Sequence, residues 1–265
     1  MKNLFNLLLL FTLISAISCR SSKDLTYLAD ATLNETIKGL PNASIEHITV
    51  PKDILYVSIK TTNEEVNKLY NPESAMSASG SNSSMMFSSP NGAYLYGFEI
   101  DNDGDIKLPM LGKLKVAGLT RAEVEKVVQK KADEFLSDAI VKVKLLNFRF
   151  SLMGEVKSPG VYYNYNNAIN LFEALAMGGG HSDFASIKDV MVVRPTAEGN
   201  KTYLLDLTSK EIYSSEAFYI HPNDNIIVRP GSNKNLSLNA PAISLFFASF
   251  SFLVSVVTFT LLLTK

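Results

Sequence analysis

One stretch, residues 148–195, leaves the chain little freedom in how it folds. It reads F-R-F-S-L-M-G-E-V-K-S-P-G-V-Y-Y-N-Y, then N-L-F-E-A-L-A-M, then G-G-G-H, then V-M-V-V-R-P. Phe148 to Val156 mixes aromatic and aliphatic residues as a strand does. Lys157-Ser158-Pro159-Gly160 carries turn chemistry, with Pro fixing one φ and Gly permitting a positive φ at the next position. Val161 to Tyr165 then returns as the partner strand. Asn170 and Glu173 form a capping box for a short helix. Gly178, Gly179 and Gly180 stop that helix, because glycine takes the left-handed cap at little cost. The sequence therefore predicts a ββαβ unit.

The order and spacing of these residues also carry a resemblance. Gly154-Glu-Val-x-x-Pro-Gly160, then Leu171-x-x-Ala-Leu-Ala-x-Gly-Gly-Gly180, then Val190-x-Val-x-Arg194 resembles the soluble-ligand-binding β-grasp (SLBB) domain. That domain occurs in bacterial outer-membrane polysaccharide export lipoproteins.

A second resemblance lies upstream. D-G-D-I-K-L-P-M-L-G-K-L-K-V-A-G-L-T ends on Thr120, which opens a capping box with Glu123. The helix that follows carries Val124, Val127, Val128, Ala132, Phe135 and Leu136 on one stripe. Ile140 to Leu145 then alternates as a half-buried strand. This ordered run closely resembles the polysaccharide export domain. The phrase Val50-Pro51-Lys52-Asp53 recurs as His221-Pro222-Asn223-Asp224, each copy opening an apolar strand. It is similar to the family's Pro-Gly-Asp, with Lys52 and Asn223 in the glycine's place. Two copies are too few for a solenoid and point to two related β-rich domains.

The two ends have a different character. Lys2, the apolar run from Leu4 to Ile14 and the small residues after it read as an export signal. Ser15-Ala-Ile-Ser-Cys19 is similar to a lipoprotein lipobox, which implies a lipid on Cys19. Cys19 is the only cysteine, so no disulfide can form within the chain. Ala242 to Leu263 carries no charge and is bracketed by Lys234 and Lys265. About 22 residues at 1.5 Å each span roughly 33 Å, so the run predicts a transmembrane helix. Ser244, Ala248, Ser251, Ser255 and Thr258 fall on one helical face within about 80°, a candidate helix-packing or pore face.

The composition excludes other roles. A net charge of −1 and a pI near 6.3 give no footprint for nucleic acid. Asp101, Asp103 and Asp105 begin like a calcium loop, but Ile106 and Gly112 stand where the glycine and the bidentate glutamate are required. A β-turn at Asn102-Asp103-Gly104 accounts for the same residues. No hydrolase elbow, phosphate loop or zinc motif is present in the sequence, and no cofactor, metal or catalytic residue is expected. His181 reads as turn punctuation. Tyr162, Tyr163 and Tyr165 either contact glycan or pack a sheet, packing being the favoured reading.

The expected fold is α+β, with two β-rich domains (a polysaccharide export domain and an SLBB β-grasp) and a C-terminal transmembrane helix. The expected divisions are 1–18 signal, 19–47 tether, 48–147 export domain with a flexible loop at 71–92, 148–231 β-grasp, and 240–265 transmembrane helix. The resemblance implies a ring-forming homo-oligomer in the outer membrane that exports capsular or extracellular polysaccharide without being an enzyme. Its folded domains would lie in the periplasm, and its partners would be membrane lipid, the polysaccharide and an inner-membrane polysaccharide co-polymerase. A glycan-binding envelope lipoprotein that forms no pore is the alternative.

Overall fold

The computed structural model describes residues 26–37, 46–71, 95–166 and 168–263. The expected signal segment, Cys19 and most of the 71–92 loop lie outside these residues.

Two sheets carry the two halves. In the first half, β1 (Ile54–Lys60) is the centre of a three-stranded sheet, flanked by β2 (Phe98–Glu99) and β5 (Ile140–Leu145). Both neighbours run antiparallel to it, with Leu55 opposite Leu145 and Val57 opposite Val143. α1 (Glu64–Tyr70) starts where the Asn63 side chain accepts from the backbone of Glu65 and Val66. β3 (Asp105–Leu108) and β4 (Gly112–Lys115) form a separate hairpin. α2 (Arg121–Ala132) begins with the predicted Thr120–Glu123 capping box, both halves of which form. It buries Val124, Val128 and Ala132 against the sheet, each such side chain contributing on the order of 1–3 kcal/mol by its removal from water.

The second half is a five-stranded sheet in the order β7-β6-β10-β8-β9. Its strands are β6 (Arg149–Gly154), β7 (Gly160–Tyr163), β8 (Ala185–Thr196), β9 (Gly199–Leu205) and β10 (Asn225–Pro230). The central pair β10–β6 is parallel and the others are antiparallel. α3 (Leu171–Met177), closed at its start by the Asn170–Glu173 capping box, seats Leu171, Ala174 and Leu175 in the core. Leu145 touches both hydrophobic cores, so the halves share a packed joint.

The glycines divide differently from the sequence reading. Gly160 does not take a positive φ; it starts β7, and the left-handed residue of this turn is Gly154 at +84°. A Cβ on Gly154 would stand 2.1 Å from the Val228 carbonyl oxygen, because Val228 on the parallel partner strand β10 is its register partner in the sheet. Gly178 is also right-handed, and its Cβ would collide with Leu152 at 2.7 Å. Gly179 and Gly180, at +76° and +83°, supply the left-handed stop.

α4 (Asn233–Leu263) follows β10, and its first turn is held by Lys234, which pairs with Glu155. The expected transmembrane helix is overturned: among the described residues no helix is long and apolar enough to cross a membrane. Within α4 the uncharged run follows Pro241. Serines dilute that run, and two of them bond back to their own helix, Ser244 to the Pro241 carbonyl and Ser249 to the Leu245 carbonyl, both at 2.8 Å. The α+β class with two β-rich domains stands without that span.

Candidate functional site

The repeated Pro-x-Asp phrase folds into the same turn twice. In the first copy the Asp53 carboxylate accepts from the Val50 amide at 3.0 Å, and the Asp53 amide donates to the Val50 carbonyl at 3.1 Å. In the second, Asp224 accepts from the His221 amide at 2.8 Å and returns a bond to the His221 carbonyl at 3.2 Å. Each turn needs a left-handed residue between Pro and Asp, and Lys52 and Asn223 take it at φ +73° and +66°. The family's glycine therefore has a backbone reason, met here by two residues with side chains.

Each turn's carboxylate is then given a partner. His47 Nε2 lies 2.7 Å from Asp53. Arg194, on β8, donates from Nε to Asp224 at 3.0 Å and from Nη2 at 2.8 Å, with its remaining donors on the Glu216 and Tyr219 carbonyls. Asp224 is fully buried and Arg194 nearly so, which makes this the one buried ion pair among the described residues. His221 lies beside it; its pKa is lowered, chiefly by burial and then by the Arg194 charge, and its Nε2 is buried without a hydrogen-bond partner among the described residues.

The two turns face each other across the joint between the halves. Asn147, in the linker between β5 and β6, accepts from the Ile54 amide at 3.1 Å and donates to the Lys52 carbonyl at 3.2 Å. Asn223 donates its amide to the Arg149 carbonyl at 2.6 Å. Arg149 and Tyr163 are direct cross-strand partners on β6 and β7, so their side chains leave the same face of the sheet. The result is a groove lined by Lys52 from the first turn, Asn223 from the second, and Arg149 and Tyr163 from the strand pair.

Other candidates are distributed as follows. Tyr162 stacks on Phe150 at 5.9 Å and bonds the Ser158 carbonyl, which is packing. Tyr163 lines the groove, and Tyr165 lines a smaller hollow beside Arg121 and Lys144. His181 bonds the Ser182 carbonyl at 2.9 Å and takes the Tyr27 ring edge-on at 5.4 Å. Asp101, Asp103 and Asp105 converge on Lys113 Nζ at 3.3, 3.6 and 3.0 Å, so an ammonium fills the place a calcium ion would take. The bond from the Gly104 amide to the Asp101 carbonyl closes the expected turn. Pro159 is exposed. Ser244, Ala248, Ser251 and Ser255 are exposed along α4, while the Thr258 side chain lies outside the described residues. Arg149 gave no sequence signal of its importance, and Arg194 showed only as the last residue of the Val190-x-Val-x-Arg194 motif, with no sign of its partner. Lys52 and Asn223 did give a signal, as non-glycine residues at a glycine position.

The fold thus defines an α+β protein of two β-sheet modules joined at a polar, aromatic-lined groove. The family model described as a polysaccharide biosynthesis/export protein matches residues 47–146, and the SLBB domain model matches residues 148–228. Among curated proteins, the chain is similar to the "EPS I polysaccharide export outer membrane protein EpsA" of Ralstonia solanacearum and to its counterpart in Ralstonia nicotianae. Each is 34% identical over 87 residues, which is 32% of this chain and 23% of the relative's own length. The chain belongs to the polysaccharide export family.

Proposed function

We propose that this chain is a lipid-anchored subunit of an oligomeric outer-membrane channel through which capsular or extracellular polysaccharide leaves the cell. The observation that carries the reading is the two family matches following one another along residues 47–228. In it, Cys19 carries the acyl anchor, the two modules stand in the periplasm, and an inner-membrane co-polymerase delivers the polymer. No step of bond chemistry is involved.

One chain of this size cannot enclose a conduit, so the function requires a closed ring of copies. α4 supports association: Phe246, Phe247, Phe250, Phe252 and Leu253 are all more than half exposed, an apolar surface that a lone chain leaves uncovered. The small residues Ser244, Ala248, Ser251 and Ser255 would let neighbouring helices approach closely. The test is the mass of the protein in mild detergent. A ring-sized particle is expected; a monomer would favour a glycan-binding envelope lipoprotein that forms no pore. Replacing Cys19 with Ser should release the protein from membranes, and unchanged retention would refute the anchor.

A further inference from the structure

The groove between the modules has the dimensions and the charge of a binding site. Three adjoining hollows, of about 450, 420 and 470 Å³, open around the tip of the second Pro-x-Asp turn, and Asn223 lines every one. Each is within the size range of small-ligand sites. Both carboxylates along the groove are already engaged, Asp53 by His47 and Asp224 by Arg194. The cations are not. Among the described residues Arg149 has only the Asn223 side-chain oxygen at 3.4 Å, and Lys52 meets no carboxylate. Lys52 and Arg149 therefore leave the groove an excess of positive charge on a chain whose net charge is −1.

The remaining surfaces suit a sugar. Tyr163, partly exposed beside Arg149, offers a flat apolar ring face next to a guanidinium. Asn223 is exposed, its backbone amide is used by Arg149, and its side-chain NH2 stays available for hydroxyls. His221 lines the third hollow, and its Nε2 is buried and unpartnered among the described residues.

We infer that this inter-module groove binds a segment of acidic polysaccharide. Lys52 and Arg149 meet its anionic substituent, while Tyr163 and Asn223 meet a ring face and its hydroxyls. The inference deepens the export reading and rests on it for the class of ligand. It adds a contact point at which charge selects the polymer. Lys52 and Asn223 can hold this turn only as strained non-glycine residues, which places side chains at the groove where the family's glycine offers none.

The experiment is calorimetric titration of the full chain in mild detergent with an oligogalacturonate, and with a neutral maltodextrin of equal length. The oligogalacturonate should bind at least about tenfold more tightly than the maltodextrin, and Lys52→Gln and Arg149→Gln should each weaken it by about tenfold. Tyr163→Ala should weaken both probes. The thermal midpoints of the variants should match the parent, which separates lost contact from lost fold. No binding of the oligogalacturonate, equal binding of the two probes, or parental affinity in both cation variants would overturn the inference. Failure of the export reading looks different: a deletion strain would keep its surface polysaccharide whatever the groove binds.

Discussion

Lys52 and Asn223 are left-handed residues with side chains, and the cost of that conformation differs between them. Asparagine reaches this region with local help from its amide, whereas a lysine has no such compensation. Lys52→Gly should therefore stabilise the fold by up to about 1 kcal/mol, after allowing for glycine's greater freedom in the unfolded chain, and Asn223→Gly by less. Urea unfolding midpoints for the two variants check the order. Asp224 sits at the opposite extreme. It is fully buried against Arg194, and removing it would strand a guanidinium that is 8% exposed. Asp224→Ala should cost about 3–5 kcal/mol, measured by the same unfolding curves. A loss below about 1 kcal/mol would mean that the pair is not desolvated as described. Arg194 and Asp224 each stand in a legible motif, but their pairing was not legible, because the ion pair joins residues 30 apart in sequence through a sheet that periodicity alone cannot order.

At the scale of elements, what could be read was what is local. The capping boxes at Thr120 and Asn170 formed as expected, since a cap involves residues three apart and needs no tertiary context. The strand at Ile140–Leu145 also has the expected bounds, because alternation is a property of the strand itself. The positive φ expected at Gly160 belongs to Gly154 instead. The backbone that bars a side chain there, the Val228 carbonyl of β10, lies more than 70 residues away. The segment from Thr26 to Ile37, expected as a tether, is a strap on the β-grasp module. Leu28 donates its amide to the Leu207 carbonyl at 2.9 Å, Asp30 accepts from the Lys210 amide at 2.8 Å, and Lys210 bonds Glu35 at 2.6 Å.

The Lys210 bond and those from Thr32 hold the Glu35 carboxyl down from 4.5 to about 2. A lowered carboxyl pKa stabilises the docked strap above about pH 4.5, and that contribution is lost as the pH falls towards 2. The protection factor of the Leu28 amide, its exchange rate relative to the intrinsic rate at the same pH, should fall across this window in the parent. Glu35→Gln should exchange faster near neutral pH and change less on acidification. Identical profiles would show that Glu35 does not hold the strap. His221 acts in the same direction at higher pH: its lowered pKa means stability is lost as the pH falls below 6.5.

For the whole molecule, the two modules and the family were legible because their motifs are long, ordered and carried by turns and caps. The groove was not, since it is assembled from a linker, two turns and a strand pair that meet only on folding. The apolar C-terminal run was legible as a helix, but its expected span of a membrane was not upheld among the described residues. What unites the scales is the joint, where both copies of a repeated turn line the groove.

The central proposal is that the chain moves polysaccharide out of the cell, and the most direct measurement is the surface polysaccharide of a strain from which it has been deleted. The account predicts that surface polymer is lost, with polymer retained inside the envelope, and that restoring the intact chain recovers export. Unchanged surface polysaccharide in the deletion strain would contradict it.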